Sequence, residues 1–423
     1  MLKRGIRKWD LFFLIINGVI GAGIFALPAK VFALSGAYSL LAFGVCALMM
    51  LVLILVFAEV SSRFEKTGGP YLYVHAAFGP VPAFIIGWLL LLTRLFSYAT
   101  LINLMVLYLS FFSDVFMEAS IRIAMILGIT FALTLLNWIG VRSSARVGNV
   151  LTVAKLFPLA IFIIVGLFFL DTDLINFAER PDLTAFSAST LLLIFAFGGF
   201  ESGLVNSGEI ENPRKNLPFA LIAATLVITL FYVLIQLVSI GTLPELAQSD
   251  KPIADAAQGF MGWGGGLLIT LGAVVSILGT LNVQVLSGSR MPFALSEEGQ
   301  FPQIFSRVHP KFATPVVSLL FFGILVGFVS VFWGFMSSLA ISVISRLLMY
   351  ILVCAALIRL RQIHPGKGYF RIPLGKFFAI FGILMSIWLL SGTDLLEIRD
   401  AALWTGLGLV IYAVHYFGKR RIR

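Results

Sequence analysis

The sequence predicts an all-α integral membrane protein whose single domain contains twelve transmembrane helices. Of its 423 residues, 60% are apolar and 12% are charged, about half the charged fraction of a soluble domain. The apolar residues form runs long enough to cross a bilayer as helices, and the mean hydropathy is +1.02. Two glycine clusters interrupt two of these runs at corresponding positions, which indicates a pair of discontinuous helices.

The predicted spans divide the chain into two halves of similar length and a final pair. The first half, 10–170, and the second half, 185–361, contain five spans each, and 374–417 contains two accessory helices. Short tails at 1–9 and 418–423 lie outside the membrane. The spans are predicted at 10–34, 38–62, 80–112, 121–139, 147–170, 185–210, 218–242, 264–290, 315–333, 335–361, 374–391 and 400–417.

The net charge of +10 is distributed asymmetrically along these spans. Most lysines and arginines fall at ends that are cytoplasmic if the N-terminus is inside, and the external ends carry Lys30, Arg122, Arg180, Lys251 and Arg399. This positive-inside bias predicts a multi-pass protein of the cytoplasmic membrane with both termini in the cytoplasm. It explains the charge without a nucleic-acid partner. The four histidines are scattered near span ends, so we expect no metal site and no cofactor.

The first glycine cluster lies inside predicted span one, where Gly18, Gly21 and Gly23 fall within six residues. Each glycine costs a helix about 1 kcal/mol relative to alanine, so this helix is weakened at membrane depth. One explanation is close packing against another helix, because small residues let backbones approach. The other is a discontinuous helix whose free backbone groups hold a substrate. Taken alone, this cluster favours packing.

A second cluster changes that balance. Gly198 and Gly199 interrupt span six and are followed at once by a carboxylate, Glu201. Because each half contains five spans, an odd number, the second half runs through the membrane in the opposite direction. Paired broken helices in two inverted halves indicate the central site of a transporter.

The chemistry of such a site follows from the helix ends. A half-helix that begins at the break points free N–H groups at a carboxylate, and one that stops there offers carbonyls to an ammonium group. Together they suit a zwitterion such as an α-amino acid. A phenylalanine beside the second break either packs in the ordinary way or covers the substrate as a gate. The predicted binding residues are Val19, Ile20, Gly21, Ala22, Gly23, Ile24, Phe195, Ala196, Phe197, Gly198 and Gly199.

Four ionisable residues stand out within the predicted spans, because charge at that depth is costly and by default functional. Lys155 either takes part in ion coupling, by replacing a cation or releasing its proton, or extends to the interface. Glu201 either contributes to coupling or only caps the half-helix that follows the break. Arg94 and Arg346 each need a carboxylate or a group of carbonyls. They are interpreted as gate or pocket charges: structural clamps, ligands of an anionic side chain or parts of a proton path.

Several motifs resemble one known family. The first break continues into IFALP at 24–28, and residues 59–73 read EVSSRFEKTGGPYLY. Residues 197–218 end in GEIENPRKNLP, and residues 289–315 carry the Ser-Arg, His-Pro-Lys and Thr-Pro elements. In this order, the four segments resemble the amino acid–polyamine–organocation permeases, and the resemblance covers nearly the whole chain.

The resemblance implies the LeuT-like five-plus-five inverted-repeat fold and amino acid transport by alternating access. It places the carboxylate-binding atoms on the backbone of Ala22 and Gly23. The ammonium-binding carbonyls fall near Val19, Phe195 and Gly198, and Phe195 matches the aromatic gate.

One further match concerns ion coupling. Lys155 matches a lysine that replaces the ion of sodium-coupled relatives, which favours a proton gradient over sodium. Two features depart from the family pattern. Ala22 stands where a serine is common, and Arg94 and Arg346 are additional charges.

Other functions remain open at this point. An antiporter that exchanges an amino acid for its metabolic product is the main alternative to a proton-coupled transporter. A membrane-embedded enzyme is disfavoured because the sequence has short loops and no nucleophile or cofactor motif. A ligand sensor would bind without moving substrate. The sequence leaves the identity of the substrate and the oligomeric state open.

Overall fold

The structure is a computed structural model that describes residues 6–21, 23–64, 69–138, 145–205, 210–312, 314–366 and 370–422. In this part of the chain the regular structure is helical, apart from one parallel bridge between Ile6 and Ile210. The helices are α1 (Lys8–Val19), α2 (Gly23–Ser35), α3 (Ser39–Ser61), α4 (Pro70–Phe78), α5 (Pro80–Leu109), α6 (Ala119–Trp138), α7 (Ala145–Gly166), α8 (Leu183–Phe197), α9 (Glu201–Val205), α10 (Pro213–Thr242), α11 (Pro252–Glu297), α12 (Val316–Phe332), α13 (Phe335–Ile363), α14 (Gly375–Ser391) and α15 (Leu395–Ile422).

The helices confirm the broad prediction of an all-α membrane protein. Among the described residues, six helical segments are long and apolar enough to cross a bilayer. The pair α14 and α15, bent by 118°, makes a seventh if it is counted as one span. Three shorter apolar helices lie at Ala154–Phe169, Leu183–Phe197 and Val316–Phe332.

Helix α5 forms the centre of the molecule. In its most apolar stretch 94% of the residues are buried, and it packs against α11 and α13. In α6 the corresponding fraction is only 22%. Large apolar side chains such as Phe131 on α6, Ile324 on α12 and Leu384 on α14 are exposed. In a bilayer these side chains meet lipid rather than water, so the outer helices need no further protein cover.

Both predicted interruptions are present. Helix α1 ends at Val19 and α2 begins at Gly23, while α8 ends at Phe197 and α9 begins at Glu201. Ala22, which was predicted to supply a carboxylate-binding N–H group, lies outside the described residues.

Some predicted span edges differ from the observed helix ends. Helix α11 runs from Pro252 to Glu297, but Gly262 (φ +67°) is non-helical and divides it into two parts, so the eighth span predicted at 264–290 corresponds to the part after the kink. The part before Gly262 was not predicted as a helix, because it contains polar residues and glycines. Helix α10 begins at Pro213, five residues before the predicted edge, since a proline is well placed in the first turn of a helix.

One end of the bundle is held by a buried carboxylate. Glu59 on α3 pairs with Arg63 at 3.2 Å, which confirms a pairing expected from their spacing of four residues. It also accepts hydrogen bonds from Nε of Arg361 on α13, at 2.7 Å, and from the backbone N–H of Ile372, at 3.0 Å. These contacts tie α3, α13 and the segment before α14 together at the bundle end.

Candidate functional site

The two helix breaks lie directly against each other. A Cβ atom added to Gly23 would lie 2.7 Å from the Cα atom of Ala196, which is closer than real atoms approach. Gly199 has a φ of +120°, and a Cβ there would overlap the carbonyl oxygen of Gly18. Glycine is required at both positions because one backbone packs on the other.

Backbone groups at the first break are partly satisfied by side chains. The N–H of Ile20 still donates to the carbonyl of Ile16 at 2.8 Å, so the helical pattern ends there. Lys155 Nζ donates to the carbonyl oxygens of Asn17 at 3.1 Å and Ile20 at 2.9 Å. Its side chain is 1% exposed. The alternative that Lys155 extends to the membrane interface is therefore wrong.

Glu201 organises the second break. One carboxylate oxygen accepts a hydrogen bond from the N–H of Gly199 at 2.8 Å, and the other accepts from the hydroxyl of Tyr350 at 2.6 Å. Nε of Arg346 lies 3.4 Å from that second oxygen. Glu201 thus stabilises the turn after the break and also forms a buried ion pair, so it is more than a cap.

A narrow cleft with an empty volume of about 300 Å³ lies between the breaks. Its walls are so close that the free space holds little more than one water molecule. Of the predicted residues, it is lined by Val19, Gly21, Gly23, Phe195, Gly198, Gly199 and Arg346. The other described residues of the lining are Gly18, Ser97, Leu101, Thr280 and Gln284.

Other predicted residues lie behind this surface. Ile20, Ile24 and Ala196 are buried and, within the described structure, do not line the cleft. Phe197 does not either, because its ring packs edge-to-face on Tyr232 with the centroids 5.1 Å apart. Of the two candidate gates, the structure therefore places only Phe195 beside the cleft.

The two arginines have different surroundings. Nη1 of Arg346 lies 3.4 Å from the carbonyl oxygen of Ile194 and 3.5 Å from that of Phe195, at the end of α8. Nη1 of Arg94 donates to Oε1 of Gln284 at 3.2 Å. Arg346 thus has both partners expected for a span-centre arginine, a carboxylate and a group of carbonyls, whereas Arg94 contacts a neutral amide.

Sequence reasoning missed Tyr232 on α10. Its hydroxyl lies within hydrogen-bond distance of two carbonyl oxygens, one from each break: that of Ala196 at 3.0 Å and that of Val19 at 3.3 Å. A tyrosine in an apolar span is a usable signal, since its hydroxyl needs a partner when it is buried. Ser97, Thr280 and Gln284 carried no comparable pattern, because isolated polar residues are common in membrane helices.

We expect Tyr232→Phe to loosen the contact between the breaks. The change removes this donor from both carbonyls; the carbonyl of Val19 still accepts from the N–H of Gly21 at 2.8 Å, so the loss falls mainly on Ala196 and costs about 1–3 kcal/mol. Thermal unfolding of the purified protein should occur at a lower temperature, and substrate exchange should slow. The matched control is Tyr98→Phe, since Tyr98 donates to Thr130 away from the breaks. Equal exchange in both variants would contradict a bridging role for Tyr232.

The chain is similar to known transport proteins along nearly its full length. It is 28% identical to the branched-chain amino acid permease BcaP of Bacillus subtilis, covering 98% of this chain and 93% of that protein. It is 30% identical to the serine/threonine exchanger SteT of the same organism, covering 99% and 98%. It is 28% identical to an arginine/agmatine antiporter of Chlamydia pneumoniae, covering 94% and 87%.

The family comparison agrees with these relatives. The model of the amino acid permease family matches residues 6–414, which include both helix breaks and the cleft between them. The relatives are permeases and exchangers rather than enzymes. The broken helices and the match over residues 6–414 lead to one conclusion: the chain belongs to the amino acid permease family of membrane transport proteins.

Proposed function

We propose that this chain is a secondary transporter that moves an amino acid across the cytoplasmic membrane by alternating access. The observation that carries the proposal is the meeting of opposite helix ends in one cleft. The first turn of α2, beginning at Gly23, offers N–H groups that the helix itself does not use. The last turn of α8 offers the carbonyls of Ile194 and Phe195.

These groups suit the two charges of an amino acid. The positive end of α2 favours a carboxylate, and backbone N–H groups can bind it without any side chain. The carbonyls at the negative end of α8 favour an ammonium group. In this arrangement Phe195 covers the bound head group as a gate.

The proposed topology has twelve spans in a single domain. Helices α1 and α2 together form span one, α8 and α9 belong to span six, and the two sets of five spans are inverted repeats. Helices α14 and α15 are the accessory pair. The distribution of lysine and arginine supports cytoplasmic termini. In this proposal the transporter uses no cofactor.

Proton coupling through Lys155 is part of the proposal. Its ammonium group contacts two carbonyls at the end of α1, where a bound cation would otherwise be required. When Lys155 releases its proton, the positive charge that attracts these two carbonyl oxygens is lost. The backbone at the first break can then change conformation. This role favours protons over sodium as the driving ion.

Exchange is the second candidate function. It is favoured by two relatives whose names denote exchange, the serine/threonine exchanger and the arginine/agmatine antiporter. An exchanger would require internal substrate and would not respond to a pH gradient.

Uptake into proteoliposomes tests the proposal. The full chain is reconstituted, and a panel of labelled amino acids and amines is offered with and without an inward proton gradient. We expect saturable uptake of at least one amino acid, accelerated by the gradient. Uptake that needs internal substrate and ignores the gradient would support exchange instead. Absence of both uptake and exchange for the whole panel would refute the transport function.

A further inference from the structure

A buried cluster of three charged side chains adjoins the cleft. Arg94 on α5, Arg346 on α13 and Glu201 on α9 are 5%, 2% and 1% exposed and lie within electrostatic range of one another. Glu201 pairs with Arg346, while Arg94 contacts the neutral Gln284. Among the described residues of this cluster, two guanidinium groups face one carboxylate, which leaves one positive charge in excess.

An excess charge at this depth needs a physical reason. A buried charge without a partner is strongly destabilising, and charged side chains inside membranes mark functional sites by default. If the arginines were only structural clamps, we would expect a second carboxylate beside them. The cleft next to Arg346 is instead the place where a negative charge can enter and leave.

Arg346 is placed to receive that charge. Its side chain lines the cleft together with the backbone of both breaks. The guanidinium lies against Gly198, where any Cβ atom would overlap it. Its contacts to the carbonyls of Ile194 and Phe195, at 3.4 and 3.5 Å, are long for hydrogen bonds. Nε has no hydrogen-bond partner among the described atoms and lies 3.4 Å from Glu201, so N–H groups of the guanidinium are available to a ligand carboxylate.

Arg94 lies one step behind this surface. Ser97 and Leu101, three and seven residues further along α5, line the cleft, so Arg94 lies on the same helix face. Its hydrogen-bond partner Gln284 also lines the cleft. Arg94 thus contributes charge to the site and holds Gln284 at its wall.

We propose that the transported amino acid has an anionic side chain, whose carboxylate is bound by Arg346 and supported electrostatically by Arg94. The inference rests on the proposed transport function. A zwitterionic head group brings no net charge, so a neutral amino acid leaves the excess in place. Glutamate or aspartate brings one negative charge and balances it, and a cationic amino acid would add a second positive charge. A guanidinium also matches a carboxylate in shape, with two parallel hydrogen bonds.

When such a substrate binds, its ammonium group and its side-chain carboxylate separate Arg346 from the carbonyls that it now contacts: one takes those carbonyls, and the other binds Arg346 itself. The substrate ammonium takes the carbonyls at the end of α8, and the guanidinium turns to the side-chain carboxylate. Glu201 remains beside Arg346, so the cluster becomes neutral only while the substrate is bound. The substrate-bound form is then the favoured form for crossing between the two open states.

Counterflow in proteoliposomes tests this assignment, because it requires no driving ion. Vesicles containing the full chain are loaded with an unlabelled amino acid, and entry of the same labelled compound is measured at pH 7. The panel contains glutamate and aspartate, their neutral analogues glutamine and asparagine, and leucine, serine and arginine. We expect an acidic amino acid to show an apparent affinity roughly 100-fold or more above its neutral analogue.

Three variants test which arginine produces the preference for the acidic amino acid. Arg346→Gln should reduce the preference for the acidic substrate over its amide by roughly 100-fold, and Arg94→Gln should reduce it less. Arg399→Gln is the control, since Arg399 is exposed and pairs with Asp400. If Arg346→Gln fails to fold, the double variant Arg346→Gln with Glu201→Gln removes both partners of the ion pair. The wild-type panel decides the substrate class in either case.

The outcomes separate the two proposals. Transport of a neutral or cationic amino acid without transport of glutamate or aspartate overturns this inference and leaves the transport function intact. An acidic preference that survives in both arginine variants overturns the assigned site. Failure of every amino acid in this panel overturns the inference, and the broader uptake panel of amino acids and amines then decides the transport function.

Discussion

Replacing Gly23 by alanine is expected to reduce transport by about 100-fold or more, the scale on which a shift of about 1 Å in a binding site lowers activity. The added methyl group would lie 2.7 Å from Cα of Ala196 and 3.0 Å from its Cβ. Both are at or next to the backbone of α8, so no flexible side chain can move aside. The two breaks must separate, and the N–H groups of α2 then no longer face the carbonyls of α8.

The measurement is uptake or counterflow together with thermal unfolding. Overpacking of this kind costs roughly 1–3 kcal/mol of stability, so some protein should remain folded for assay. Gly44→Ala is the matched control, because a Cβ at Gly44 in α3 meets nothing within 4 Å. If folded Gly23→Ala protein transported as well as the control, close contact between the breaks would not be needed for function.

Replacement of Lys155 is the second change with a large expected effect. We expect Lys155→Ala to reduce uptake driven by a pH gradient by about 100-fold or more, the effect of removing a proton-transfer group. Exchange and binding should fall much less. Alanine cannot carry a proton, and it also removes the Lys155 donor from the carbonyls of Asn17 and Ile20, of which the second keeps the hydroxyl of Ser276 at 3.4 Å. That second loss accounts for the smaller effect on exchange.

Lys155→Arg separates the two roles. Arginine keeps the positive charge and the hydrogen-bond donors, but it does not release a proton. We expect this variant to retain exchange better than Lys155→Ala and to lack stimulation by the gradient. Equal loss of gradient-driven uptake, exchange and binding in Lys155→Ala would identify a structural lysine. Gradient stimulation that persists in Lys155→Arg would assign coupling to another group.

Much of the fold was accessible from the sequence, because bilayer thickness and hydropathy constrain helix position strongly. The predicted third span at 80–112 corresponds to α5 (Pro80–Leu109), and the tenth at 335–361 corresponds to α13 (Phe335–Ile363). The part of α11 before Gly262 was not accessible, since its polar residues and glycines give no strong hydropathy signal. Both helix breaks were accessible because glycine weakens a helix in a position-specific way.

The candidate site was accessible only in part. The backbone segments could be located, since their chemistry follows from helix ends. Which of these residues line the cleft and which are buried behind it could not be predicted, because that depends on how each helix is rotated about its axis. Phe195 lines the cleft while Phe197, two residues away, packs on Tyr232. Tyr232 itself comes from α10, far along the chain, and only folding brings its hydroxyl to both breaks.

The sequence by itself determined the membrane class, the two broken helices and the residue types of a backbone-lined site. These properties follow from composition and from local helix energetics. Only the tertiary structure decided which charges meet. It pairs Arg346 with Glu201, leaves Arg94 on a neutral amide and turns Lys155 inward to the first break. The reason is physical: a side chain's partners in a helical bundle come from distant helices, and their distances are set by packing that local sequence does not encode.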